Sequence, residues 1–394
     1  MNGRYTVNLE LDKDIEPVIN RITNSLILNF HPRSIILCGS FGRGEATVIK
    51  ENGKLKFLSD CEIYVISTKY IPRGRIRKLI LEIKDEIGLE VDIYGTTLSI
   101  YFLFPMVHRI MKPTIQNYEL KYGSRVLFGK DYLQQIPAFK PQDIPLWEGI
   151  RLIFNRMAQA LEHLPVNNDF SRESIFWANK IILACQDALL LLLGKYHHSY
   201  RVRNIMFQQL FPQYLNDLNK QVPKLFSLTI KATDQKLNSN FDYEDVDKLW
   251  FNTTEACDKV FRYLINKEMG IEFDNYVEFQ EKYLRSPKLN QYHQSSISFN
   301  LYQNLLSILR IILLRRGSVS PGMIKKIGRP WKHMVYSIIP LFFFELLYNN
   351  QVNESYLRII TEALSLFKGI KGVNNNLSSD NIKEQISNLW YVIC

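Results

Sequence analysis

The sequence predicts an α+β protein: a small N-terminal domain that mixes helices with strands, and a larger C-terminal domain made of helices. Three observations lead to this prediction. Within residues 1–135 the hydrophobic period alternates between that of helices and that of strands. A proline-rich linker follows at residues 136–146. Beyond it the spacing is almost wholly helical, and we divide this domain, 147–394, into subdomains at about 147–270 and 271–394.

The N-terminal elements follow from the spacing of apolar residues and from breaks at proline and glycine. The first helix carries Ile15, Ile19, Ile22 and Leu26 at helical spacing and ends at His31-Pro32. The second helix stops at a glycine, the residue that most often follows a helix. In chain order the sequence predicts a helix at 12–30, strands at 34–38 and 56–66, a helix at 72–87, and strands at 89–94 and 125–128.

The C-terminal domain shows apolar residues at intervals of three and four, which is typical of packed helices. No internal repeat of fixed period appears. The predicted helices are at 147–164, 172–193, 242–267, 274–283, 299–314, 334–348, 354–367 and 381–392.

Composition restricts the class of protein and of partner. Nearly half of the 394 residues are apolar, so the chain can bury a large core. Its net charge of +10 favours an anionic partner such as a nucleotide or RNA. The five cysteines show no close pairing, which is typical of reduced thiols in the cytoplasm. The apolar runs are too short or too interrupted to cross a bilayer, so we expect a soluble cytoplasmic protein without a membrane partner.

The chemistry of the N-terminal domain is concentrated after the first predicted strand and within the second. The first strand leads into Gly39-Ser40 and a turn that contains Arg43. A glycine-serine turn suits a phosphate group, because its backbone N–H groups are not obstructed by side chains. The next strand carries Asp60 and Glu62, which alternate with apolar residues and so face the same side. Two adjacent carboxylates repel each other unless a cation lies between them.

A third carboxylate strengthens this prediction. Asp92 alternates with Val91 and Ile93 in the predicted strand at 89–94. A strand beside that of Asp60 and Glu62 would bring Asp92 next to them. Three carboxylates on one sheet face are typical of sites for two Mg²⁺ ions. A solvated strand face is the competing interpretation of these acids.

The combination of Gly39-Ser40, Asp60-Cys61-Glu62 and Asp92 resembles the nucleotidyltransferase superfamily of DNA polymerase β and kanamycin nucleotidyltransferase. The string GSFGRGE is most similar to that of the small prokaryotic nucleotidyltransferases. The resemblance covers roughly the first third of the chain. One departure is the long spacer between Ser40 and Asp60, which contains an Asn-Gly pair that predicts an inserted β-hairpin.

The resemblance implies a small mixed-sheet domain with a defined reaction. It implies that Gly39, Ser40 and Arg43 bind the triphosphate of an NTP such as ATP. Asp60, Glu62 and Asp92 would act as catalytic residues and as ligands of two Mg²⁺ ions, for which Mn²⁺ can substitute. A nucleoside monophosphate would pass to a hydroxyl of a small molecule, a protein side chain or an RNA 3′ end. The helical domain would select this acceptor, which the sequence leaves open together with the oligomeric state.

Two alternatives remain at this point. The first is a protein that binds NTPs for regulation without turnover, against which the three intact acids argue. The second is a helical module that binds or cleaves RNA, with the N-terminal domain as an accessory. It depends on the net charge and on Arg156 and His163, whose spacing loosely matches that of the HEPN-type ribonucleases.

Overall fold

The computed structural model describes residues 3–97, 111–164, 172–239, 245–289, 304–305, 307–309, 311–312, 318–325, 331–349, 352–367, 370 and 379–394. The chain divides into two compact units. The first contains Met1–Glu148, Leu190–Gln213 and Thr229–Asp242, and the second contains Gly149–Leu189, Tyr214–Leu228 and Tyr243–Cys394. The predicted boundaries do not coincide with this division, because the linker at 136–146 lies inside the first unit and two later segments return to it.

The first unit begins with the mixture of helices and strands that the sequence predicts. Its elements up to residue 129 are α1 (Leu9–Phe30), β1 (Ser34–Leu37), α2 (Gly39–Arg43), β2 (Val48–Glu51), β3 (Lys54–Phe57), β4 (Cys61–Ser67), α3 (Arg73–Ile87), β5 (Val91–Thr97), α4 (Ile115–Tyr122) and β6 (Arg125–Gly129). Short 3₁₀ helices follow at Leu133–Gln135 and Pro141–Asp143.

Four of these strands form a mixed sheet in the order β5-β4-β1-β6. β1 pairs with β4 and β6 in antiparallel fashion, and β4 pairs with β5 in parallel. The parallel pair is joined through α3, as expected for strands that require a crossover connection. The small mixed sheet followed by helices confirms the predicted α+β class.

Helices cover one face of the sheet, and the other face is covered by the segments that follow it. The apolar stripes of α1 and α3 pack on the side of Cys61, Ile63 and Val65. On the opposite side, Ile36 and Ile66 pack with the predicted linker residues Ile136, Phe139 and Ile144 and with Leu191 and Tyr196. The linker residues are therefore part of the core of this unit.

The inserted hairpin is confirmed. β2 and β3 pair in antiparallel fashion, and the turn between them places Asn52 at φ 50° and Gly53 at φ 77°. Two successive positive φ angles are typical of the type I′ hairpin turn, which Asn-Gly favours. The prediction of one strand over 56–66 was wrong at its beginning, because residues 56 and 57 belong to β3 and the sheet strand begins at Cys61.

The turn expected after β1 is also different in the structure. Gly39–Arg43 forms the short helix α2, in which the amide of Gly42 donates to the carbonyl of Cys38 at 2.9 Å. Gly44 ends it at φ 72°. Glycine spacing alone did not distinguish a helical turn from an irregular one.

The remaining elements are helices. They are α5 (Leu146–Ala160), a 3₁₀ helix (Leu161–His163), α6 (Arg172–Leu192), α7 (Tyr200–Tyr214), α8 (Asn216–Gln221), α9 (Pro223–Asn238), α10 (Val246–Met269), α11 (Tyr276–Arg285), α12 (Pro321–Lys325), α13 (Trp331–Asn349), α14 (Glu354–Ser365) and α15 (Ser379–Ile393). The predicted helix at 299–314 lies largely outside the described residues.

The core of the second unit is rich in aromatic rings. The apolar helix α13 packs against α10, α11, α14 and α15. Phe154 and Tyr336 stack at 4.9 Å, and Tyr276 and Phe344 stack at 4.7 Å. Asp258 accepts hydrogen bonds from the hydroxyls of Tyr276 and Tyr348, so its buried charge is compensated. The described part of the second unit therefore has a core made of helices, without strands.

Among the described residues, one helix is long and apolar enough to cross a membrane. This is α6, with 83% of its most apolar window buried inside the protein. Length and composition alone do not distinguish such a helix from a core helix.

Candidate active site

Glu62 and Asp92 lie side by side on neighbouring strands. They are direct register partners in the parallel pair β4–β5, so their side chains leave the same face of the sheet. Asp60 immediately precedes β4, where the amide of Cys61 donates to the carbonyl of Glu90 at 2.8 Å. Cys61 and Ile63 are fully buried on the opposite face, as predicted. The parallel register thus brings Asp92 beside Glu62, as we expected if their two strands were neighbours.

The acids of this face affect one another electrostatically. The pKa of Glu62 is raised from 4.5 to about 7, first by burial and then by the negative charge of Asp60 and of Glu119. Asp92 adds to this effect, and Arg43 opposes it. The pKa of Asp92 is also raised, by burial and by Asp60 and Glu90. Like charges held together in this way favour either a proton or a cation.

Gly39 lies directly against the carboxylate of Glu62. Its φ is +61°, a conformation that glycine adopts readily. A Cβ atom at this position would lie 3.0 Å from the carboxyl carbon of Glu62 and 3.2 to 3.3 Å from its oxygens. The amide of Cys38 also donates to the backbone carbonyl of Glu62 at 2.8 Å. The glycine-serine segment and the acids therefore form one continuous surface.

The donor set fits a divalent cation in its chemistry. Carboxylate oxygens are the ligands that Mg²⁺ prefers, and the pKa values of Glu62 and Asp92 are raised because burial and neighbouring acids disfavour their charged forms. The fit is one of residue type and not of geometry, because within the described part of the chain no group of three or more His, Cys, Asp or Glu side chains is arranged to hold an ion. The metal assignment of Asp60, Glu62 and Asp92 stays a prediction.

Arg43 occupies a buried position among charged groups. Its Nη1 atom donates to Oε2 of Glu119 at 2.9 Å, and its Nε atom lies 3.7 Å from Glu45. Its guanidinium group also lies over the ring of Tyr200, 5.4 Å from the centroid. The ion pair with Glu119 joins α2 to α4. Binding of phosphate by Arg43 stays a prediction.

Glu119 is the centre of this buried network. Besides Arg43, it accepts a 2.6 Å hydrogen bond from the hydroxyl of Tyr196 and lies 3.6 Å from Arg203. Its two arginine partners lower its pKa even though burial raises it. Sequence reasoning assigned no role to Glu119, because nothing local distinguishes it from other charged residues on helices.

Glu45 has the structural role that its position beside Arg43 suggests. Its carboxylate accepts hydrogen bonds from the hydroxyl of Ser199 at 2.7 Å and from the amide of Tyr200 at 2.9 Å. These groups lie at the start of α7, where free amides and the helix dipole favour an anion. Glu45 therefore anchors α7 to the segment that follows α2.

Lys236 is a second functional candidate that the sequence did not indicate. This side chain is 8% exposed, and its ammonium group donates to the hydroxyls of Thr47 and Ser59 at 2.8 and 2.9 Å. Ser59 is the residue before Asp60. The position of Lys236 on α9, 177 residues from Ser59, explains why no local pattern reveals it.

Two tyrosines extend the face that carries the acids. Tyr64 and Tyr94 are register partners two residues beyond Glu62 and Asp92, and their rings stack with centroids 4.9 Å apart. Tyr94 is 41% exposed. Its position on the same face as Asp92 makes it part of the candidate site's rim.

Arg156 and His163 have structural surroundings in the second unit. Arg156 donates to Oε1 of Gln159 at 2.6 Å. The ring of His163 stacks on Trp177 at 5.1 Å, and burial lowers its pKa. Arg156 lies on α5 and His163 in the 3₁₀ helix that follows, so they do not share one regular α-helix.

Comparisons with known proteins give one structural similarity. No family model matches the chain, and no curated protein matches it. Among solved structures, the chain is similar to the spectinomycin adenyltransferase AAD(9) from Enterococcus faecialis, determined with ATP and spectinomycin. The two share 14% identity with a TM-score of 0.36, over 63% of this chain and 98% of that one.

Proposed function

We propose that the protein is a metal-dependent nucleotidyltransferase, which moves a nucleoside monophosphate from an NTP to a hydroxyl group and releases pyrophosphate. The observation that carries the proposal is the pairing of Glu62 with Asp92 on parallel strands, against the backbone of Gly39. This arrangement combines a surface that suits phosphate with carboxylates whose charged forms are disfavoured by burial and by neighbouring acids. Acids that served solubility alone would be fully exposed, whereas Glu62 is partly buried beside Asp60 and Asp92.

In this proposal each residue has a role that follows from its position. The backbone N–H groups of Gly39 and Ser40 bind the triphosphate, with Arg43 contributing positive charge. Asp60, Glu62 and Asp92 hold two Mg²⁺ ions, which supply stabilisation of the charge that develops on the transferred group. Lys236 adds a buried cation next to Ser59.

Asp92 is the residue that we assign as the base. Its side chain is exposed on the face that carries Glu62, so an acceptor hydroxyl can reach it. It takes the proton of the acceptor hydroxyl, whose oxygen then bonds to the α-phosphorus of the NTP. The bond from the α-phosphorus to the bridging oxygen breaks, and pyrophosphate leaves with the electron pair.

The experiment that tests the proposal is transfer of label from each of the four α-³²P-NTPs in the presence of Mg²⁺ and cell extract. We expect labelled product from the wild type and none from Glu62→Gln or Asp92→Asn. Asp85→Asn is the matched control, because it removes an exposed carboxylate from α3 and should label as the wild type does. Equal labelling by Glu62→Gln and the wild type would refute the proposal.

Pyrophosphate release separates the enzyme from an NTP sensor. The transferase should release pyrophosphate in proportion to the label transferred. An NTP that binds and shifts the unfolding transition, with no pyrophosphate formed under any acceptor condition, would favour the regulatory alternative.

A further inference from the structure

A second charged surface lies away from the acids, at the start of α3. We call residues 69–78 the basic segment; its cations are Lys69, Arg73, Arg75, Arg77 and Lys78. All five side chains are exposed. No acidic residue occurs between Glu62 and Glu82. Within the part of the chain that the structure describes, the only ion pair of this segment joins Lys78 to Glu82 at 3.6 Å.

The charges of α3 are arranged against the helix dipole. The first turn contains Arg73 and Arg75 and no acid, whereas Asp85 and Glu86 lie near the C-terminal end beside one cation, Lys84. The positive end of a helix favours anions, so cations there lower the stability of the isolated helix. A sequence selected for stability alone would place these charges the other way round. An anion bound at the start of α3 would offset this unfavourable placement.

The apolar face of α3 is already used by the fold. Ile76, Leu79 and Ile83 are buried in the core against the sheet. A helix that lies in a membrane surface needs its apolar face free to enter the lipid. This argues against an anionic membrane as the partner of the basic segment.

The composition of the segment fits a nucleic acid better than an isolated phosphate. Three of its cations are arginines, whose planar groups match phosphate oxygens and also stack on bases. Tyr70 lies among them with 73% of its surface exposed. Exposed aromatic rings interleaved with cations are the usual combination for binding single strands.

We propose that the basic segment binds the phosphate backbone of a single-stranded nucleic acid, with Tyr70 stacking on a base. Ser67, where β4 ends, is seven residues from Asp60, or about 23 Å at the rise of a strand, so this surface is distinct from the acids. The proposal goes beyond nucleotidyl transfer and does not depend on it.

The test is fluorescence anisotropy of a labelled 15-nucleotide single-stranded RNA of mixed sequence, titrated with full-length protein between 50 and 300 mM KCl. The variant is Arg73→Gln/Arg75→Gln/Arg77→Gln. Each phosphate contact to a single strand contributes about 0.7 to the slope of log K against log salt. We therefore expect the slope to become shallower by about 2 and the affinity at 100 mM salt to fall at least about tenfold.

The matched control removes three exposed cations elsewhere, in Arg33→Gln/Lys54→Gln/Lys259→Gln. Both triple variants have the same net charge. An equal loss of affinity in the two would show that binding follows net charge and would overturn the proposal. Failure of the wild type to bind the RNA at 50 mM salt would overturn it as well.

Two further measurements complete the design. Because the arginines oppose the helix dipole, their replacement should leave the thermal unfolding temperature unchanged or higher, whereas a marked decrease would indicate a structural role and overturn the proposal. Vesicles of phosphatidylserine and phosphatidylcholine provide the competing ligand. Binding to vesicles that is as tight as binding to RNA, and equally sensitive to the arginine substitutions, would assign the segment to membranes instead.

Discussion

Replacing Glu62 by glutamine should remove a pH dependence that the wild-type protein shows in its stability. Burial and neighbouring acids raise the pKa of Glu62 from 4.5 to about 7 in the folded state. At a pH between 4.5 and about 7, Glu62 holds a proton in the folded protein that it has lost in the unfolded chain. The free energy of unfolding therefore falls as the pH rises from about 4.5 to about 7.

The expected magnitude follows from the two pKa values. A difference of one in pKa between the folded and unfolded states corresponds to about 1.4 kcal/mol of stability. The difference between 4.5 and about 7 would therefore contribute roughly 3 kcal/mol for a fully buried group. Glu62 is partly exposed, so we reduce the expectation to about 1–2 kcal/mol. Glutamine has the same shape and no charge, so the substitution isolates this contribution.

The assay is urea unfolding at pH 5, 6, 7 and 8 with EDTA present, for the wild type and Glu62→Gln. The free energies of unfolding of the two proteins are compared at each pH. The comparison is needed because His198, whose pKa is lowered to about 4 in the folded state, makes stability rise with pH in both proteins. We expect the variant to gain stability relative to the wild type as the pH rises. Parallel curves from pH 5 to pH 8 would refute the reasoning.

Magnesium gives an independent check on the same carboxylate. Since Mg²⁺ and the proton compete for it, addition of Mg²⁺ should stabilise the wild type more at pH 8 than at pH 6. The variant should show a smaller stabilisation at both pH values.

Three further substitutions test the surroundings of the site. Glu119→Gln should lower the free energy of unfolding by about 3 kcal/mol in urea titrations, because it leaves Arg43 and Arg203 buried without their shared carboxylate. The exposed control Glu82→Gln should lower it by less than about 0.5 kcal/mol. Equal effects of the two substitutions would contradict the argument. Gly39→Ala should lower the free energy of unfolding by about 1–2 kcal/mol, since alanine at a positive φ is strained. It should also raise the KM for the NTP. Unchanged stability and an unchanged KM would remove the role given to this glycine. Lys236→Met should cost about 1–3 kcal/mol, because it removes the two hydrogen bonds that the buried ammonium group donates to the hydroxyls of Thr47 and Ser59. Unfolding identical to that of the wild type would count against the buried contact.

The sequence by itself predicted the local features of this protein. The alternation around Glu62 gave the correct faces for Cys61 and Ile63, because neighbouring residues in a strand point to opposite sides. Asn52-Gly53 predicted the hairpin turn, because few other residues adopt two successive positive φ angles. Helix α3 begins and ends within one residue of its predicted limits for similar local reasons.

Features that join distant residues came only from the tertiary structure. The pairing of Glu62 with Asp92 depends on which strands are neighbours and in what register, and hydrophobic periodicity leaves both open. The division into two units likewise depends on contacts between residues far apart in the chain.

The buried charges show this limit most clearly. Glu119 and Lys236 appear in the sequence as ordinary helical residues, each far along the chain from the groups it binds. A charged side chain is stable inside a protein only when packing brings a partner to it, and the free energy of that encounter belongs to the folded arrangement. The sequence therefore determined the local elements and candidate acids, and the tertiary structure decided which charges surround them.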